Sequence, residues 1–294
     1  MQIVSAPDLG QRTSLKMGGR ARLEIRVTED ADWEKIPAWM EKEGVDSLIM
    51  GGGSNLLVQE GELPLLLIKD SRERQIKVCE QKEDRLKISA NAGCGLQFFL
   101  GWLQRKGITG LEGLTGIPAC LGGAVAMNAG AFGKEIASAV TRLQIWSPEQ
   151  GSTWLQREQI LFSYRNLHLG IDTRNWIITK VELELARGDK KKILEEMKKN
   201  YRKKKQIQPV KALTCGCVFK NPDSNLSAGY LLDCCGFKGY VCGGVAFSEL
   251  HANFLINLGR GNSKQAFELI SWARNKVYEK FNIDLNTEVK LIGF

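Results

Sequence analysis

The sequence predicts an α+β fold with sheets in more than one layer. Short apolar strands punctuated by glycine-rich turns fill most of the first half. Helices of 3.6-residue periodicity lie between and after them, and a lysine-rich helix separates the two styles. At 294 residues the chain can form two modest domains or one large one, each with its own core. A hydrophobic content of 43% with 25% charged residues is ordinary for a globular protein and excludes a disordered chain.

Taken in order, Thr28 can cap a helix that carries Trp33, Ile36 and Met40 inward and stops at Gly44. Apolar runs then predict strands at Ser47–Met50, Leu56–Val58, Leu63–Ile68, Ile76–Cys79 and Leu86–Ala90. Leu96, Phe99, Leu100 and Leu103 have helical spacing within Leu96–Gly107, and strands resume at Val140–Trp146 and Trp176–Leu185. In Arg187–Lys205 a stripe of Ile193, Leu194, Met197 and Tyr201 is surrounded by lysines. This helix reads as a hinge, giving expected domains of 1–186 and 187–294. A long helix from about Ser263 should bury Ala266, Ile270, Ala273, Val277 and Phe281.

The N-terminus lacks the basic-then-apolar pattern of a signal peptide, and no apolar run approaches the roughly 20 residues that span a bilayer. A cytoplasmic protein without a membrane partner is expected, with its eight cysteines reduced. The net charge of +8 asks for an anionic partner. Nucleic acid is a poor candidate: Glu195 and Glu196 interrupt the basic run, and only Tyr201 could stack on a base.

Two glycine loops point to chemistry. Met50–Val58, MGGGSNLLV, follows an apolar strand and leads into another. Successive glycines let backbone approach a ligand and turn N–H groups toward an anion. No Lys-Ser/Thr follows, as a P-loop needs, and no helix opens, as a Rossmann fingerprint needs. A tight hairpin remains the plain alternative. Gly110–Gly133 is rich in glycine and small residues, with almost no charge beyond Glu112. Together the loops suit a large, flat, phosphate-bearing cofactor.

These loops, with SLKMGGRA (Ser14–Ala21), SYRN (Ser163–Asn166), VFKNP (Val218–Pro222), SELHANFLIN (Ser248–Asn257) and NTEVKLIG (Asn286–Gly293), resemble the UDP-N-acetylenolpyruvoylglucosamine reductase family in its shorter subtype. The resemblance covers nearly the whole chain in the family's order. It implies a vanillyl-alcohol-oxidase/PCMH-type FAD-binding domain of two α+β subdomains, followed by a smaller α+β substrate-binding domain. It implies reduction by NADPH of UDP-N-acetylglucosamine enolpyruvate to UDP-N-acetylmuramate in peptidoglycan precursor synthesis, and a monomer is expected. The FAD is expected to be non-covalent, because His168 and His251, the two histidines, lie outside the glycine loops.

Residue by residue, the resemblance implies cofactor contacts from Gly51, Gly52, Gly53, Ser54, Asn55 and Leu56 in the first loop. In the second it implies Gly116, Ile117, Pro118, Gly122, Gly123, Ala124, Asn128 and Gly130. Arg165 would hold the substrate carboxylate, Glu288 would assist the enol, and Tyr164, Lys220 and Asn221 would contact the nucleotide sugar. Lys205 and Gln206 are further phosphate contacts to consider. The family's proton-donating serine is replaced here by Cys217, whose thiol titrates far below a hydroxyl and is the easier donor. Ala119 and Cys120 stand where Gly and Thr or Ser are usual, and Asn166 and His168 where Ser and Phe are usual. Two other classes stay open: another FAD-linked oxidoreductase of this fold, and a non-catalytic nucleotide- or zinc-binding protein. For zinc, Cys215, Cys217, Cys234, Cys235 and Cys242 have C-x-C and C-C spacings in place of paired C-x-x-C knuckles. Packing is the expectation for Cys215, Cys234 and Cys235.

Overall fold

Residues Arg20–Val27 alternate polar and apolar side chains, and in the computed structural model they form a strand burying Ala21, Leu23, Ile25 and Val27. The structure describes residues 1–170, 176–223 and 225–294. Arg20–Val27 is the second strand of a four-stranded sheet, in the order Gln2–Ser5, Arg20–Val27, Glu62–Asp70, Asp46–Ile49. The last two run parallel. A second sheet runs Gly151–Gln156, Val140–Ser147, Ile177–Arg187, Arg85–Asn91, Ile76–Lys82 through antiparallel pairs. A third, four-stranded sheet holds Leu213–Cys217, Phe254–Asn257, Val245–Phe247 and Val241–Cys242. The α+β expectation holds.

The chain divides into two compact units, each assembled from separate stretches. One comprises Met1–Ser5, Leu23–Gly52 and Pro64–Arg202; the other comprises Ala6–Arg22, Gly53–Leu63 and Lys203–Phe294. The first has two apolar cores, one around Phe99, Leu103, Leu143 and Val181, the other around Ile25, Trp33, Ile36 and Leu66. The second has one core, where Phe219, Leu231, Phe237, Phe247 and Leu255 pack against the inner face of Ser263–Phe281. That helix buries Ala266, Ile270, Ala273 and Val277 as its periodicity predicts, while Phe281, expected with them, is only partly buried. Leu56–Val58 belongs to the second unit because it pairs in parallel with Lys290–Ile292.

Two readings need correction. The helix before Gly44 starts as a 3₁₀ turn, Asp30–Lys35, before the α-helix Ile36–Glu43. Pro37 explains the break, since it lacks the N–H that would extend the α pattern back to Trp33. Glu29, and not Thr28, is the cap. On Lys190–Ile207 the buried positions are Ile193, Asn200 and Lys204, with Met197 partly buried, while Leu194 and Tyr201 are exposed. The stripe is therefore rotated relative to the one read from apolar residues alone.

Candidate active site

Within the first unit the two glycine loops pack against each other. A Cβ on Gly51 would lie 2.4 Å from Cys120 Sγ, and one on Gly52 would lie 3.4 Å from the Pro118 carbonyl oxygen. Gly122 approaches Ala92 so closely that a Cβ would stand 2.8 Å from the alanine's own. Glycine is thus required by contact at Gly51 and Gly122, while at Gly52 the two loops come into ordinary van der Waals contact. Cys120 caps the short helix Leu121–Ala126 by accepting the Gly123 N–H at 3.3 Å, the bond a hydroxyl would accept, and burial pushes its thiol pKa up. The Ala119 backbone does not call for glycine: its φ lies outside the left-handed region, which Gly116 occupies at +80°.

Sequence reasoning missed Gln97. Its side chain accepts the Gly116 N–H at 2.8 Å and donates to the carbonyls of Ile117 and Leu114 at 2.9 and 3.2 Å. The second loop is therefore fastened to the helix Leu96–Lys106. Only the position of Gln97 on the loop-facing side of that helix could have signalled it. A close-packed cradle of uncharged backbone, open to a ligand through exposed Gly51, Gly52 and Pro118, fits a flat ring with a diphosphate. Gly51, Gly52, Ile117, Pro118, Gly122, Gly123 and Ala124 lie in this cradle or its helix, whereas the Gly116 amide is occupied by Gln97.

Tyr164 and Arg165 form the two-residue turn between Ile160–Ser163 and Asn166–Leu169, in the same unit. Arg165 has φ +54°, which costs a non-glycine residue energy of the order of 1 kcal/mol. Its guanidinium donates to the carbonyl oxygens of Asn128 and Gly130 at 3.5 and 3.3 Å, and stacks 5.4 Å from the Tyr164 ring. Asn166 Nδ2 and His168 Nε2 contact each other along one strand of the hairpin at 2.7 Å.

Cys217, Lys220, Asn221 and Glu288 belong to the second unit. A regular strand would put Cys215 and Cys217 on one face, because side chains alternate with period two. Between Thr214 and Cys217 the register against Phe254–Asn257 shifts, and Gly216 takes φ +82°. This bulge adds one residue and separates the two thiols. Cys215 is 1% exposed in the apolar core, where burial pushes its pKa up to about 12, while Cys217 is partly exposed. Thr214 latches the bulge: its hydroxyl donates to the Leu255 carbonyl at 2.6 Å and accepts the Gly216 N–H at 3.1 Å.

The chain after Cys217 is held from two sides. Glu288 N–H donates to the Val218 carbonyl at 2.7 Å, Lys220 N–H to that of Asn286 at 2.9 Å, and Phe219 bridges Thr287. Asn253, 2% exposed, accepts the Phe219 N–H at 2.9 Å and donates back to the Phe219 carbonyl at 2.8 Å. Asn55 donates to the Glu288 carbonyl at 2.9 Å, so its side chain is engaged in holding Glu288. Asn221 accepts the Ala228 N–H at 3.1 Å, and the Gly53 carbonyl accepts the Ser14 N–H at 3.0 Å. Ser54 and Leu56 complete this stretch, Leu56 being buried. His251 is half-buried; burial, then the charge of Lys238, lowers its pKa, and its Nδ1 accepts the Asn253 N–H at 3.2 Å. It therefore satisfies a local hydrogen bond. Among the described residues no group of three or more His, Cys, Asp or Glu side chains could hold a metal ion.

The fold and the paired loops define a protein with a flavin-nucleotide-binding domain: residues 21–154 match the family model described as an FAD binding domain. Residues 208–292 match that of the C-terminal domain of UDP-N-acetylenolpyruvoylglucosamine reductase. The reductase of that name from Nitratidesulfovibrio vulgaris is 38% identical over 100% of this chain and 99% of its own. That from Oleidesulfovibrio alaskensis is 40% identical over 98% and 97%. The solved structure of the reductase from Thermus caldophilus matches 99% of this chain and 98% of its own, at 31% identity and a TM-score of 0.82. The chain belongs to the UDP-N-acetylenolpyruvoylglucosamine reductase family.

Proposed function

We propose that the chain reduces UDP-N-acetylglucosamine enolpyruvate to UDP-N-acetylmuramate in peptidoglycan precursor synthesis, as an NADPH-dependent flavin oxidoreductase. Bound non-covalently, FAD would supply the redox chemistry, passing the hydride of NADPH to C3 of the enolpyruvyl group. Gly51, Gly52 and Pro118 would hold FAD through backbone, while the amides of Gly122 and Gly123 are already taken by the Ala92 carbonyl and Cys120 Sγ.

Hydride arrival at C3 drives negative charge onto C2 and the adjacent carboxylate, so the protein must hold that charge and deliver one proton. Arg165 holds the carboxylate through charge-assisted hydrogen bonds. Glu288 assists the enol, and the Cys217 S–H gives its proton to C2; the thiolate left behind regains a proton from solvent. Tyr164, Lys220 and Asn221 bind the nucleotide sugar. In this reading 1–186 serves the cofactor and 187–294 the substrate, in a cytoplasmic monomer. Among the described residues no helix is long and apolar enough to cross a membrane.

The observation that carries the assignment of Cys217 is the latched bulge at Gly216, which separates this thiol from the buried Cys215. The test is an anaerobic flavin spectrum. NADPH should bleach it, and the enolpyruvyl nucleotide should then restore the oxidised bands. If the nucleotide leaves the flavin reduced, the substrate is wrong.

A further inference from the structure

Asn128 sits in the second glycine loop, where a cofactor contact is expected, yet its side chain is directed elsewhere. It is 1% exposed, and both hydrogens of its amide are engaged within the protein. Nδ2 donates to Glu135 Oε2 at 2.9 Å and to the Ser163 carbonyl at 3.1 Å, while Oδ1 accepts the Ala137 N–H at 3.3 Å. One side chain thus ties three points together: its own loop, the segment at 135–137 and the strand end that launches the Tyr164–Arg165 turn.

The tie runs in both directions. Ser163 is the residue before the turn, and the Asn128 and Gly130 carbonyls receive the Arg165 guanidinium at 3.5 and 3.3 Å. Asn128 itself adopts φ +39°, a conformation asparagine tolerates better than most residues. Its position therefore fixes where the turn begins and where the guanidinium of that turn comes to rest. All of these residues lie in one compact unit.

We propose that Asn128 is a positioning residue for Arg165: it sets the spacing between the 128–130 loop and the 163–166 turn, and with it the direction of the guanidinium. This rests on the reading of Arg165 as the group that holds the substrate carboxylate. Only substrate-dependent reoxidation should suffer when it is disturbed, because flavin binding and reduction by NADPH do not call on Arg165.

The experiment compares four forms of the FAD-loaded enzyme: Asn128→Asp, Asn128→Asp with Glu135→Gln, Asn128→Gly and Arg165→Ala. Asn128→Asp removes both donors and sets two carboxylates face to face. Adding Glu135→Gln restores one hydrogen bond with its polarity reversed. Asn128→Gly keeps the left-handed backbone and removes the side chain, which guards against a variant that fails to fold. Flavin content, bleaching by NADPH and anaerobic reoxidation by the enolpyruvyl nucleotide are measured separately.

The expected result is parental flavin content and bleaching, with reoxidation slowed on the order of 100-fold in Asn128→Asp and Asn128→Gly. The Glu135→Gln addition should recover part of the loss. Weakened flavin binding in both Asn128 variants would overturn the proposal in favour of a cofactor contact. Parental reoxidation in both, with Arg165→Ala slow, would overturn it and leave Arg165 in place. Parental reoxidation in Arg165→Ala would instead remove the reading beneath it.

Discussion

Lys204 lies near the C-terminal end of the helix Lys190–Ile207, only 3% exposed, and burial pulls its pKa from 10.5 down to about 8. Desolvation penalises the charged ammonium in the folded state, whereas the unfolded chain leaves it in water. Between pH 8 and 10.5 the unfolded chain binds more protons than the folded one, so this group makes stability rise with pH through that window. Below about pH 8 the penalty is fully present. At about 1.4 kcal/mol per pH unit the displacement corresponds to roughly 3 kcal/mol. Lys204→Met keeps the length and removes the charge. Urea unfolding of the FAD-loaded protein should therefore find the variant more stable than the parent at pH 7, by up to roughly 3 kcal/mol. Most of that advantage should vanish by pH 10. Groups common to both chains cancel in the difference. A stability difference that stays constant from pH 7 to 10 would refute a buried, destabilised ammonium.

Cys217→Ala should slow substrate-dependent flavin reoxidation by about 10²- to 10⁴-fold in stopped flow, the usual contribution of a general acid, while Cys217→Ser retains measurable turnover. Equal turnover of the alanine variant and the parent would remove Cys217 from the mechanism. Thr214→Val deletes both bonds that latch the bulge; urea unfolding should register a loss of about 1–3 kcal/mol, with lower turnover at parental flavin content. Gly51→Ala should lower flavin content, because its Cβ would meet Cys120 Sγ at 2.4 Å; adding Cys120→Ala makes room and should restore part of it. No recovery in the double variant would mean that the clash is not what limits binding.

Much of the fold was legible because it obeys simple periods. Val140–Ser147, Ile177–Arg187 and Ser263–Phe281 begin and end within a few residues of where their apolar patterns do. Arg20–Val27 alternates as a strand should but was not read as one, since Glu24 obscures the pattern. That residue is 1% exposed and its carboxylate accepts from Arg26 at 3.0 Å. The rotated face of Lys190–Ile207 was not legible, since hydropathy ranks Leu194 and Tyr201 above Asn200 and Lys204. Nor was the interleaving of the units. It depends on Leu56–Val58 pairing with Lys290–Ile292, a partnership across most of the chain that no local pattern encodes.

The site was legible in its residue types and less so in what each side chain does. The pattern C-G-C shows two thiols two residues apart, and in an unbroken strand they would share a face, as a redox pair or half of a metal clip requires. What decides against that geometry is the extra residue at Gly216, whose need for φ +82° glycine alone meets cheaply. Once the bulge forms, Cys215 enters the core among Phe219, Leu231 and Leu255, and its thiol, with a pKa pushed up to about 12, stays protonated. A buried neutral thiol is neither nucleophile nor metal ligand at neutral pH. The glycine between the cysteines, easily read as a spacer, is thus the residue that gives them different environments.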